Sequence, residues 1–234
     1  MRVAIMQPYL FPYLGYFQLM HRADIFVVLD DVTYIKQGWI NRNRLLMNGA
    51  EYQFTIPLAG SSSNKLIKDT RLHPNTRPRR KLLAAIAQAY RSAPKFKRVY
   101  ELIEHVLLTP QDDLTSIVCR SFELINQYVG LPVVVRLSST VDKNPQLVAQ
   151  ERVIELCKLL QANEYINPLG GAALYAAADF ARAGLSLRFL QPELQPYGQV
   201  GSTNFVAGLS IIDVLMHNEP RQARKLFQQG TLHP

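Results

Sequence analysis

The sequence predicts an α/β fold: a mainly parallel, Rossmann-like sheet with helices on both faces and a helical insertion around residues 76–130. Three observations carry this. Residues 2–32 read as strand, short helix and strand, the pattern of a βαβ unit, which spans roughly 30 residues. Strand-like and helix-like segments alternate again from residue 131 onward, which argues for a parallel sheet covered by helices. Between these parts the apolar spacing follows a helical period throughout 76–129. With 234 residues, 48% of them hydrophobic, such a chain buries roughly 70% of its unfolded surface and needs no metal or disulfide staple. One domain over 1–234 is expected, with 76–130 a helical subdomain inside it.

The elements follow in order. "RVAIMQ" (2–7) alternates and stops at Pro8, as a short buried strand would. "LGYFQLMHR" (14–22) reads as a helix. "DIFVVLDDV" (24–32) is nearly continuously apolar, typical of a strand buried on both faces. "EYQFTIPLA" (51–59) alternates, and "GSSSNK" (60–65) is a small-polar surface loop. Helices fill 76–129, with Thr76 as the expected N-cap and Gly130 as the stop. Then come a strand at 131–140, a helix at 145–161 with Pro145 near its first turn, and a strand at 164–168. An alanine-rich helix over 169–184 opens on Gly170 and Gly171, followed by a strand at 185–192 and helices at 209–217 and 221–227.

Lys and Arg number 26 against 18 Asp and Glu, a net charge of +8. The basic residues are scattered, with short clusters at "NRNR" (41–44) and "RPRRK" (77–81) and no zinc-finger or RRM spacing. That pattern suits a small anionic substrate better than nucleic acid. No apolar run approaches the roughly 18 residues of a membrane span. The opening "MRVAIMQP" lacks the apolar length and cleavage site of a secretory leader. Cys119 and Cys157 form no CxxC pair and read as free thiols in a reducing cytoplasm.

The candidate site lies at the ends of the first two strands, because parallel sheets bind ligands beyond their carboxyl edges. "MQPYLFPYLGYFQLM" (6–20) follows the first strand, and its prolines stiffen the loop that carries the aromatics. Gln7, Tyr9, Tyr13 and Tyr16 are candidates for stacking on a base or sugar while hydrogen-bonding it. Phe11 and Phe17 read as core beneath the loop. Asp30 and Asp31 close the second strand and point opposite ways if extended, so one of them faces the site as a base or an acceptor for a hydroxyl or ammonium. In "KQGWINRNRLL" (36–46) the same alternation puts Asn41 and Asn43 on one side and Arg42 and Arg44 on the other. Lys36, Trp39, Asn41, Arg42, Asn43 and Arg44 are substrate-binding candidates, the arginines for phosphate or carboxylate. Gly170 and Gly171 open a helix where backbone N–H groups could meet an anion. None of the five histidines has metal-ligand spacing, and Ser61 to Ser63 have no histidine nearby in sequence, so neither a metal nor a triad is read. No cofactor is named by any motif.

The blocks "AIMQPYLFPYLGYFQLM", "ADIFVVLDDVTYIKQGWINRNRL", "YINPLGGAALY" and "FVAGLSIIDVLMHN", the last containing Asp213, resemble the WbqC-like family of bacterial proteins. The resemblance runs over nearly the whole chain outside 76–130. It implies a role in O-antigen and other surface-polysaccharide biosynthesis. The implied activity is a cytoplasmic transferase step on a nucleotide-linked sugar, with acyl or aminoacyl transfer to a sugar amine as one form. It carries over no catalytic assignment. A weaker likeness, to HIGH-motif nucleotidylyltransferases, rests on the strand, proline loop and helix around Gly15. Tyr13 and Tyr16 stand there in place of the two histidines and bring no cation to a triphosphate. A non-catalytic nucleotide- or sugar-binding protein is the alternative reading.

Overall fold

The structure, a computed structural model, describes residues 1–60 and 62–234. Ser61, part of the loop and triad readings above, lies outside the described residues. β1 (Arg2–Met6) and β2 (Ile25–Val28) flank α1 (Leu14–Arg22). The two strands pair in parallel with Met6 opposite Val28. β2 ends sooner than the apolar run suggests. Leu29 N donates to Met6 O at 2.8 Å, and Asp30 N turns back onto Val28 O at 3.0 Å. Asp30 and Asp31 therefore sit in a loop rather than on alternate faces of a strand.

β3 (Arg42–Met47) and β4 (Ala50–Thr55) form an antiparallel hairpin. Asn48 (φ 52°) and Gly49 (φ 76°) make its turn, a two-residue positive-φ pair that matches the twist of the flanking strands. The run read as one strand over 51–59 is broken at Pro57, which has no N–H for a ladder. β5 (Leu58–Ala59) instead pairs with β6 (Arg71–Leu72).

α2 (Arg77–Tyr90), α3 (Phe96–Leu108) and α4 (Leu114–Val129) occupy the expected helical stretch. Thr76 does not cap α2. Its own backbone is helical (φ −79°, ψ −11°) and its hydroxyl makes no cap bond, because capping geometry needs an extended residue. Asp113 caps α4, accepting from Ser116 N at 2.8 Å. Gly130 closes that helix at φ 68°, with Leu131 N donating to Asn126 O at 2.9 Å.

β7 (Val134–Leu137), α5 (Ala149–Leu159), β8 (Glu164–Pro168), α6 (Ala177–Arg182), β9 (Ser186–Gln191), α7 (Ile211–His217), α8 (Pro220–Phe227) and β10 (Thr231–His233) follow. α5 begins later than Pro145 suggests, because Val148 is extended and Ala149 sits at φ 46°. The helix read over 169–184 is two pieces. A 3-10 turn over Leu169–Leu174 and α6 are separated by the extended Tyr175 and Ala176. Each glycine costs a helix about 1 kcal/mol, and Gln150 holds the break by accepting from Ala176 N at 2.6 Å. β10, not foreseen in the sequence, pairs antiparallel with β9.

The main sheet runs β10-β9-β8-β1-β2-β7, parallel except at β10. The chain moves outward from β1 through β2 to β7, then returns to β8 on the other side of β1. Such a reversal marks a ligand crevice at the carboxyl ends of the strands. Ala4, Phe26 and Val28 face one core, shared with Phe17, Tyr90, Phe122 and Phe227 from the helices of that side. Val3, Ile5 and Val27 face the other, with Leu156 of α5 and Phe180 of α6. Helices thus cover both faces, as the alternation of the strands requires. Among the described residues, no helix is long and apolar enough to cross a membrane.

Candidate functional site

Register sets the rim. Met6 lies opposite Val28, and Val28 opposite Leu137, so the residues that follow β1, β2 and β7 share one edge of the sheet. Asp30 is 1% exposed. Its Oδ1 accepts from Ser139 N at 2.9 Å and its Oδ2 from the Ser139 hydroxyl at 2.6 Å. Asp30 thereby staples the end of β2 to the end of β7.

Asp31 turns the other way. Lys143 Nζ lies 2.5 Å from its Oδ2, and Arg152 Nη1 lies 4.0 Å from its Oδ1. Arg152 is held by donating Nε to Leu147 O at 2.9 Å and Nη1 to Asp31 O at 3.2 Å. Oδ1 of Asp31 is buried without a hydrogen-bond donor. Burial pushes the Asp31 carboxyl up, but hydrogen bonding and charge from Lys143, with Arg152 behind, outweigh it and hold it below the ordinary range. A cavity of about 620 Å³ opens here, lined by Asp31, Lys68, Ser139, Asp142, Lys143 and Arg152 among others. A second cavity of about 390 Å³ adjoins it and shares Asp31, Leu66 and Arg152.

The proline loop builds a separate pocket. Tyr9, Pro12, Tyr13, Trp39, Asn43, Arg44, Leu194 and Gly208 line about 300 Å³. The loop is fixed by Phe11, which is fully buried at φ 46°. Its carbonyl accepts from Asn43 Nδ2 at 2.7 Å and from the Ser210 hydroxyl at 2.8 Å. Tyr13 folds over Gly15, where a Cβ would lie 2.5 Å from the ring, so a side chain at this position would displace the Tyr13 ring from the pocket wall. The Arg44 guanidinium sits 5.3 Å from the Trp39 ring centre, and its charge is matched by Glu51 at 2.8 Å. Burial raises the phenols of Tyr9 and Tyr13. The pocket is aromatic and close to neutral, suited to a flat ring.

The candidates therefore divide. Asp31 lines the two rim cavities, while Tyr9, Tyr13, Trp39, Asn43 and Arg44 line the aromatic pocket; no described residue lines both groups. Tyr16 is core, 2% exposed, and donates its hydroxyl to Gln7 O at 2.8 Å. Asn41 and Asn43 do share one face of the hairpin, but as backbone clamps. Asn41 accepts from the Tyr34 hydroxyl at 2.9 Å and donates to Ile56 O at 2.7 Å. Gln7, Lys36, Arg42, Gly170 and Gly171 line none of these cavities. Lys36 is exposed in a loop, and Gly171 lies against the Asn167 amide.

Lys68, Ser139, Lys143 and Arg152 were not foreseen. The sequence does hold a signal for two of them. "SSTVDK" (138–143) follows a third parallel strand, and its residues share the rim on the same reasoning that picked out Asp30 and Asp31.

A family model described as the WbqC-like protein family matches residues 7–225, a span that includes the aromatic loop, the rim aspartates and the Asp213 helix. The chain belongs to the WbqC-like protein family. The uncharacterized protein Rv1507c of Mycobacterium tuberculosis (strain ATCC 25618 / H37Rv) is 27% identical over 221 residues, covering 92% of this chain and 93% of that protein. No solved structure matches. In this WbqC-like chain, then, both cavity systems lie on segments within the family match.

Proposed function

We propose that this chain is a transferase acting on a nucleotide-linked amino sugar in surface-polysaccharide biosynthesis, with the Asp31 cleft as its reaction site. The observation that carries the reading is the Asp31 carboxylate held beside Lys143 and Arg152, with Lys68 lining the same cavity. Clustered cations at the carboxyl edge of a parallel sheet suit a diphosphate, and an arginine fork binds oxyanions with defined geometry. The carboxylate supplies the complementary part. Held below its ordinary pKa, Asp31 stays charged at neutral pH and is a weak base. Its stronger use is to hold the acceptor amine in place and receive the proton the nitrogen sheds once it has bonded. In the finer form, acyl or aminoacyl transfer, the new C–N bond forms as the bond to the donor's leaving group breaks, and that proton passes to Asp31. Free Cys119 and Cys157 support a reducing, cytoplasmic setting.

Thermal-shift measurements with nucleotide sugars and acyl donors test the reading. A ligand at about 100 times its Kd stabilises by about 2.7 kcal/mol. On the substrate so found, Asp31→Asn should lower turnover by about 10²–10⁴-fold, far more than its loss of about 1–3 kcal/mol of stability, from leaving Lys143 unpaired, removes from a protein assayed below its melting temperature. Asp30→Asn should act mainly through stability, because it breaks the staple to Ser139. Full turnover in Asp31→Asn would sink the proposal.

The aromatic pocket favours a second reading, a non-catalytic nucleotide- or sugar-binding protein. Trp39 is the single tryptophan and reports on that pocket directly. This reading expects a nucleoside to quench Trp39 emission, with the effect lost in Tyr13→Ala, and no turnover of any nucleotide sugar. The adenylyl-transfer alternative is disfavoured by Tyr16, whose hydroxyl is buried against Gln7 O.

A further inference from the structure

The 390 Å³ cavity beside Asp31 differs in kind from its polar neighbour. Leu29, Val32, Leu66, Val148, Val153 and Leu174 supply half of the residues in its wall. Two of these are large apolar side chains left open to solvent: Val148 is 63% exposed and Leu174 72%. They stand on two segments that the sequence reads as continuous helix and that the chain leaves irregular, the entry to α5 and the end of the 169–174 turn. Ala149, between Val148 and Gln150 on the same wall, is held at φ 46°, a conformation that costs a non-glycine residue energy and gathers at binding sites. Val148, extended at φ −130° and ψ 164°, lies on the cavity wall rather than within the helix. Exposed apolar groups, a residue at positive φ and a cavity that shares Asp31 and Arg152 with the cleft of Lys68 and Lys143 occur together.

We propose that this cavity seats an apolar group of the substrate, a short alkyl or acyl chain, while its anionic part lies in the adjoining Lys68–Lys143–Arg152 cleft. The proposal rests on the reading of the Asp31 cleft as the substrate site and adds the chemistry of what that substrate carries. It makes Val148 and Leu174 specificity-determining contacts. On binding, the chain would cover both and remove them from water.

Two probes separate the two ideas. Inorganic pyrophosphate titrated into the wild-type protein tests the cationic cleft alone. Straight-chain carboxylates from acetate to octanoate, followed by NMR, test the cavity, with the carboxylate beside Arg152 and the chain inward. Affinity should rise by about fourfold per methylene until the cavity is full. The rise should flatten in Leu174→Asp and in Val148→Asp, whose exposed positions leave folding intact, as their melting temperatures should show. Absence of a chain-length effect in the wild type, or an equal effect in both variants, overturns the inference whatever pyrophosphate does. Binding of the carboxylate series without pyrophosphate binding would keep the apolar site and reject the diphosphate reading.

Discussion

Lys143 Nζ lies 2.5 Å from Oδ2 of Asp31, and the two side chains keep only 7% and 14% of their exposure. Lys143 also donates to Ser138 O at 2.5 Å, so the pair ties the loop after β2 to the loop after β7. Breaking a fully buried pair by removing one partner costs about 3–5 kcal/mol. Asp31 keeps some contact with solvent, so Lys143→Met should cost less, about 1–3 kcal/mol at neutral pH. The sign with pH follows from the lowered carboxyl. In the wild type its stabilisation is complete above the ordinary carboxylate pKa of about 4 and is lost as pH falls through the lower folded value. The gap between wild type and variant should therefore shrink in acid. Urea melts at pH 7 and pH 3 check this; an equal gap at both would show that the ion pair is not the cause.

A second acid sensitivity belongs to His21. Burial lowers its imidazole to about 4, helped by the nearby Arg224 charge and opposed by the bond to Asn126 Oδ1 at 3.0 Å. Between about pH 6.5 and pH 4 the unfolded chain takes up a proton that the native chain refuses, so stability falls as pH drops through that window. The loss reaches up to about 3 kcal/mol. His21→Gln keeps a donor for Asn126 and removes the titration. Its melting temperature should be flatter than the wild type's from pH 6.5 to 4. A parallel decline in both proteins would assign the effect elsewhere.

All of the main sheet but β10 was legible, because β2 is a near-continuous apolar run, β1 alternates up to Pro8, and the helices between the strands carry a 3.6 period. The hairpin was missed although its signal was present: Asn48-Gly49 is a strong hairpin dipeptide, and Leu45, Leu46 and Met47 lead into it. Boundaries failed where one residue overrode a pattern. Ala149 at φ 46° shortens α5, and no property of alanine announces that. The rim was legible for Asp31, since strand ends locate it. That Asp30 and Asn43 serve the backbone, while Lys68 and Arg152 arrive from distant segments, depends on tertiary contacts that periodicity does not record.

Asp213 ties α7, through Tyr90, to β3, the strand whose Asn43 and Arg44 line the aromatic pocket. It is fully buried and accepts from the Tyr90 hydroxyl at 2.9 Å, the Tyr197 hydroxyl at 2.8 Å and Gln199 Nε2 at 2.8 Å. Tyr90 in turn accepts from Leu46 N at 3.0 Å. Tyr90→Phe leaves a buried N–H unpaired and removes one donor from a buried carboxylate, each a loss of about 1–3 kcal/mol. A total of about 2–6 kcal/mol corresponds to a fall in Tm of about 4–24 °C for a chain of this size. Tyr197→Phe strips only a donor and should cost less. Equal losses in the two variants would show that the Leu46 contact contributes nothing.

The helices of 77–129 do not have a core of their own. Ile86 and Tyr90 of α2, Val99 and Ile103 of α3 and Phe122 of α4 belong to the same apolar core as Phe26 of β2 and Phe17 of α1. The Phe122 ring lies 5.4 Å from that of Tyr16 and 6.3 Å from that of Phe26. We propose from this that residues 1–234 unfold as one domain rather than as a sheet and a detachable helical insertion. Calorimetry should give a single transition with equal calorimetric and van't Hoff enthalpies. Its heat-capacity change should be about 3 kcal/mol/K, at about 12–15 cal/mol/K per residue. Phe122→Ala should cost about 3–5 kcal/mol and lower that one transition by about 10 °C without splitting it. Two resolved transitions, with Phe122→Ala moving only one of them, would make 77–129 an independently folding subdomain.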